Sequence, residues 1–197
     1  MNALISLHMS VFDRISRADG ALSLLARFLF AAIFVFYFWV SGLTKLGDGV
    51  TGIFNPSLGA YAQIFPRAME AAGYDVNQLG PFHTLVVLAG TWAEFVLPVL
   101  IITGLFTRLA AIGMSGFIAV QTVTHLVGHG VWSEAATVGA WFDKAPNSLI
   151  MDQRALWIFL LIVLVIKGAG PLSLDRVLSQ QMAPRTKAFR LKLEPLN

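Results

Sequence analysis

HTLVVLAGTWAEFVLPVLIITGLFTR, residues 83–108, holds one charged side chain between His83 and Arg108: Glu94, near the middle. The run is apolar and long enough to cross a bilayer as a helix. Pro98 follows four residues after Glu94. Proline has no N–H and clashes with the carbonyl four residues back, so the carbonyl of Glu94 loses its helical partner. One turn thus gathers a carboxylate, a free carbonyl and an expected kink. In hydrocarbon each of these needs a partner from elsewhere in the chain.

The composition agrees with a membrane solvent. Of 197 residues, 56% are hydrophobic and 13% charged, whereas a soluble domain is about a quarter charged. An all-α membrane protein with one small bundle is expected. The chain has no cysteine, which excludes a thiol nucleophile, a disulfide relay, a Cys-ligated iron–sulfur cluster and a Cys-type zinc site. No phosphate loop, GxGxxG or nucleophile elbow occurs, so the usual soluble-enzyme signatures are missing. The first long apolar run is too long for a signal-peptide core and lacks a small-x-small cleavage site. It is expected to stay in the membrane as a signal anchor.

Outward from residues 83–108, the hydropathy pattern predicts four transmembrane helices, at about 22–45, 82–105, 109–128 and 155–172, within a membrane domain of residues 21–172. Arg27 lies one turn inside the first span, where it could snorkel to the headgroups. In the third span Ala111, Ser115 and Ala119 recur every four residues, which favours close helix packing. The fourth span is the shortest. Residues 156–166 cover only about 17 Å of a ~30 Å hydrocarbon core, so Gly168-Ala169-Gly170 is expected to stay partly helical. Residues 1–20 place Leu4, Leu7, Val11 and Ile15 at helical spacing, as an interfacial helix or arm. The first loop, 47–81, carries Leu58, Tyr61, Ala62, Phe65, Ala68, Met69 and Ala72 as an apolar stripe broken at Pro66. It predicts short interfacial helices over the bundle mouth. In the second loop Trp132, Trp141 and Phe142 suit an interface. Residues 173–197 form a short amphipathic segment, capped by Ser173, and a basic tail.

Counting Lys and Arg orients the chain. Four spans put both termini on one side with ten of the 14 basic residues, leaving Lys45, Arg67, Lys144 and Arg154 on the other. The positive-inside rule makes the termini cytoplasmic and the two larger loops external. A basic tail so placed suits anionic lipid at the cytoplasmic face and not nucleic acid.

That topology gathers the polar side chains of the spans toward the outer leaflet. Lys45 ends span one, Glu94 lies mid-depth in span two, and Gln121 and His125 lie in the outer half of span three. A charge at a helix centre costs ~2.5–3.5 kcal/mol on insertion scales, so these groups are expected to face one another. Two readings stand side by side. In one, Lys45 and Glu94 form a structural ion pair, with Gln121 and His125 satisfying the freed carbonyl and spare lone pairs. In the other, the same four residues line a pocket for a small ligand or a proton relay. His125 and His129 are spaced i, i+4, as metal ligands can be, but a distant carboxylate completes no ligand set, and no metal is assigned. His83 opposite His125 is a still weaker case for a haem.

Several stretches resemble the DoxX family of small bacterial membrane proteins: LARFLFAAIFVFYFWVSGLTKL with Arg27, Gly42, Lys45 and Leu46; AEFVLPVLIITGLFTRLAAIGM with Glu94, Gly104, Thr107 and Arg108; and KGAGPLSLD, Lys167 to Asp175. The loop AYAQIFPRAMEAAGYD is similar more loosely. The resemblance implies a four-helix bundle in the bacterial inner membrane, with cytoplasmic termini. It also implies a partner role in membrane oxidoreductase complexes, since the family name derives from association with a thiosulfate:quinone oxidoreductase. The expected function is therefore an accessory or quinone-interacting subunit of a respiratory assembly, more a partner than an enzyme by itself. Lys45, Glu94, Gln121 and His125 are the candidate cofactor-binding residues and quinone the candidate cofactor. The rivals are a non-catalytic interaction protein, in a larger complex or a homo-oligomer, and a small-solute transporter or channel.

Overall fold

The computed structural model describes residues 2–16 and 18–191, with side chains for residues 4–13 and 18–182. The side chains of Arg14, Ile15, Arg17 and the distal basic tail lie outside that set. Four helical segments are long and apolar enough to cross a membrane: Asp19–Leu43, Pro81–Thr103, Thr107–Gly128 and Leu149–Lys167. The chain is an all-α, multi-pass membrane protein, and no strand occurs among the described residues.

Helix α1 (Asn2–Ser16) precedes α2 (Asp19–Leu43). The first loop holds α3 (Leu58–Ile64) and α4 (Pro66–Ala71). Then come α5 (Pro81–Thr103), α6 (Thr107–Val123), the short α7 (Ala135–Val138), α8 (Arg154–Lys167) and α9 (Leu174–Leu191). The bundle is a ring in which α2 packs on α5 and α8, and α6 packs on α5 and α8. The ring follows from a four-residue aromatic repeat on α2. Phe30, Phe34 and Phe38 share one face and are buried with Met114 and Ile118 of α6 and Leu161 and Leu164 of α8. The outward faces are apolar too: Phe28, Phe36, Leu85, Leu109, Phe159 and Ile166 are all exposed. Such continuous apolar cover fits a lipid solvent.

The two ends of the bundle are built differently. At the loop end, Ser57 caps α3 by accepting from the Ala60 amide (3.2 Å), and Pro66 opens α4 at its first turn, where its missing N–H costs nothing. Tyr61 and Met69 are buried with Val87 of α5, as the stripe predicts, but Leu58 points out and Ala60 in. At the other end, Gly104 (φ +68°) and Phe106 (φ +49°) turn the chain tightly from α5 into α6.

Four expectations need correction. The fourth span does not run over 155–172 with a helical Gly168-Ala169-Gly170. It starts earlier, at Leu149, and stops at Lys167, because Gly168 and Gly170 take φ +76° and +79°. Its start is fixed by Ser148 and Asp152. The amide and hydroxyl of Ser148 donate to Asp152 Oδ2 (2.9 and 2.8 Å), and the Asp152 amide donates to Ser148 Oγ (3.3 Å), a reciprocal cap of the orphan amides. Arg154 is accordingly not a loop residue but a buried one, 3% exposed. Arg27 does not snorkel outward. It donates to the carbonyls of Ile101 and Ile102 at the end of α5 and of Ala169 and Leu172 in the turn after α8, where helix ends leave acceptor capacity over. The small-residue row on α6 is not one packed seam either, since Ala111 is buried and Ala119 exposed.

Candidate functional site

The site grows from the last turns of α2. Ser41 and Lys45 lie one turn apart, and both reach Glu94 of α5. Lys45 Nζ donates to both carboxylate oxygens of Glu94 at 3.0 Å, to Ser41 Oγ at 2.7 Å and to the Ser41 carbonyl at 3.1 Å. Ser41 Oγ in turn donates to Glu94 Oε1 at 2.9 Å. Both charged residues are buried, Lys45 at 6% and Glu94 at 2% exposure. Gly42 permits this approach, since a Cβ there would lie 2.6 Å from Cζ of Phe95. The loop then folds back over the pair: the Ser57 amide donates to the Lys45 carbonyl (3.0 Å), and Trp92 Nε1 donates to the Ile53 carbonyl (2.8 Å).

The structural ion-pair reading expects Gln121 and His125 to complete the pair, and they do not. Gln121 Nε2 donates to the hydroxyl of Tyr37 (3.1 Å). His125 Nδ1 is 3.1 Å from an Nη2 of Arg154. Arginine has no acceptor, so it donates, and the His125 proton sits on Nε2. Both partners lie in or next to widened turns. His125 lies in the π-turn Thr124–Gly128 that continues α6, and Arg154 directly follows the π-turn Leu149–Gln153. Such turns re-aim side chains and are frequent at functional sites.

What unites the four predicted residues is a cavity. Lys45, Glu94, Gln121 and His125 all line a space of ≈ 630 Å³ between α2, α5 and α6. Gln63 and Ile64 of α3, with His129, border its loop end. The small residues Ala89, Gly90, Ala93, Gly113 and Gly116 form its apolar walls. Ala89, Gly116 and Val120 are exposed on the outer faces of α5 and α6. The cavity therefore reaches the flank of the bundle at the depth of the spans. Its polar end keeps hydrogen-bonding capacity in reserve. On its lining, Gln121 Oε1 is buried and without a hydrogen bond and His125 Nε2 has no partner among the described residues, while Arg154, which touches His125 but is not part of the lining, keeps Nε and Nη1 buried and unbonded. Most buried polar groups in proteins are paired, so an excess in one place calls for explanation.

The other histidines lie elsewhere or are engaged. His83 bonds within its own turn and packs on Phe65 at 4.8 Å. His129 Nε2 donates to the Gln63 carbonyl (3.0 Å), and its ring lies edge-on to His125 at 5.8 Å. Among the described residues no group of three His, Asp or Glu side chains could hold a metal ion.

A family model described as DoxX matches residues 22–127, more than half of the chain. The chain belongs to the DoxX family. Curated proteins and solved structures give no match. The match spans the first two stretches that resemble DoxX and the whole Lys45–Glu94 contact, while KGAGPLSLD lies beyond it. The structure gives these DoxX-like stretches a common purpose, because they meet at one node. Arg27 ties α5 to the turn after α8. Asp175 accepts from the amides of Phe106 (2.7 Å) and Thr107 (3.0 Å), and its own amide donates to the Gly104 carbonyl (2.8 Å). Gly104 sits where a Cβ would meet Ser173 at 2.6 Å.

Proposed function

We propose that this DoxX-family chain is a quinone-interacting accessory subunit of a membrane oxidoreductase assembly, holding a quinone head group in the cavity between α2, α5 and α6. The observation that carries the reading is one cavity that combines a flank at membrane depth with unspent hydrogen-bonding groups at its polar end. A ligand entering there comes from the bilayer and is lipid-soluble. The volume falls within the ~300–1,000 Å³ usual for small-molecule sites.

The residues present fit a quinone. His125, held by Arg154 as the Nε2–H tautomer, supplies a donor for a ring carbonyl. Gln121 Oε1 supplies an acceptor for a quinol hydroxyl, and a flip of the amide exchanges it for a donor while the Tyr37 hydroxyl turns to donate to the oxygen. The Lys45–Glu94 pair, saturated by its own contacts, forms a polar wall and keeps the cleft from closing. A bound quinone supplies two-electron, two-proton redox chemistry; the chain binds its ring, orients it and excludes water. The ten-to-four distribution of Lys and Arg supports a cytoplasmic-membrane setting with cytoplasmic termini.

The saturation of Lys45 and Glu94 also favours a second reading, a pure interaction protein in which the pair only braces the bundle. Solvent extraction of the protein purified in mild detergent separates the two. The quinone reading expects stoichiometric quinone in the extract, with ~3- to 10-fold weaker retention in His125→Leu, the worth of one hydrogen bond. No quinone in the extract, and unchanged quinone turnover of host membranes carrying Glu94→Gln, would contradict it.

A further inference from the structure

A second cavity lies at the opposite end of the bundle, and nothing in the quinone reading uses it. It is an open recess of ≈ 450 Å³ between the start of α6, the end of α8 and the start of α9. Three cationic side chains from those three elements line it: Arg108, Lys167 and Arg176. Asp175 is the one acidic residue on its wall, and both its oxygens are spent on the Phe106 and Thr107 amides. The α6 N-terminus is therefore already capped, and the cations are what the cavity offers.

Those cations are weakly committed. Arg108 donates one hydrogen bond, from Nη2 to the Ile166 carbonyl (3.2 Å). Lys167 reaches Asp19 across an exposed pair (2.8 Å), of a kind worth little in water. Arg176 makes no side-chain hydrogen bond or ion pair among the described residues. Thr107 also lines the cavity, is fully buried, and its Oγ1 has no partner. A surplus of positive charge beside an orphan hydroxyl calls for an oxyanion. The surroundings say which kind. Phe106 and Leu109 line it and are exposed, as are Ile166 and Leu172, which adjoin the lining residues Lys167 and Ser173 in the chain, at the end of the membrane-spanning helices. They form a surface for acyl chains directly beside the cations.

We propose that this cavity binds the phosphate head group of an anionic phospholipid, with Arg108, Lys167 and Arg176 as its charge partners and Thr107 as a hydroxyl donor. Basic pockets between membrane helices suit such headgroups. The site is separate from the quinone cavity, so the two stand or fall independently. It also places an anchor on the node that joins α5, α6, α8 and α9.

Native mass spectrometry of the full chain, delipidated and offered phosphatidylglycerol or phosphatidylcholine, tests it. The expected result is preferential retention of phosphatidylglycerol, falling about fivefold for each charge removed. Arg176→Gln is the primary variant, because that side chain holds no part of the fold together. Lys144→Gln, at the loop end, is expected to leave retention unchanged. Equal retention of both lipids, or retention indifferent to Arg176→Gln, would overturn the site. Inorganic phosphate binding as tightly as phosphatidylglycerol would overturn its assignment to a lipid.

Discussion

Lys45 and Glu94 show how much a single expensive residue can say. A carboxylate in the middle of an apolar run demands a counter-charge, and Lys45, at the outer end of span one, is the span lysine on the side toward which the polar side chains gather. Both were therefore legible as partners. Arg154 was not, because an arginine at the edge of an apolar run reads as a loop charge. It is buried because Ser148 and Asp152 start the helix before it and bring it against His125. The only sequence signal was a Ser four residues ahead of an Asp. The pair makes a sharp prediction. Lys45→Met alone leaves Glu94 buried without its counter-charge and is expected to cost about 3–5 kcal/mol, whereas adding Glu94→Leu to remove both charges recovers most of that loss. Thermal unfolding of the native chain and the two variants in detergent checks it, and equal losses in the single and double variants would contradict it.

At the scale of elements, the π-turns matter most. The loop-end turn of α6 widens at Thr124–Gly128, and α8 is preceded by a widened turn at Leu149–Gln153. Each is closed by an amide reaching back five residues, His129 to Thr124 (2.9 Å) and Gln153 to Ser148 (3.0 Å). No hydropathy pattern announces such a turn, which is why His125 read as a partner of Glu94 and proved to be a partner of Arg154. The consequence is a fixed tautomer. Nitrogen-15 NMR of the imidazole is expected to find His125 as the Nε2–H form in the native chain and as a mixture in Arg154→Leu, with the helix content unchanged. The same tautomer in both proteins would mean that Arg154 does not position the ring.

At the scale of the molecule, the two ends of one bundle are lined by different chemistry. The four spans, their order and the short helices of the first loop follow from hydropathy and proline placement. The node at the terminal end was visible only as resembling stretches, because it joins Arg27, Gly104 and Asp175 across more than a hundred residues. The cavity was visible only as a clustering of polar side chains by depth. Its walls are glycine and alanine, which carry no signal of emptiness in a sequence. Gly116 offers the most direct measurement. A Cβ at that position meets nothing within 4 Å, and replacing a helical glycine by a better helix former is favourable by up to about 1 kcal/mol. Gly116→Leu should thus obstruct the cavity's opening on the flank without harming the fold. Bound quinone per chain, measured in native protein and Gly116→Leu alongside their melting temperatures, is expected to be stoichiometric in the first and largely lost from the second, with melting no lower. Quinone held equally by both proteins would place the ligand elsewhere and contradict the account.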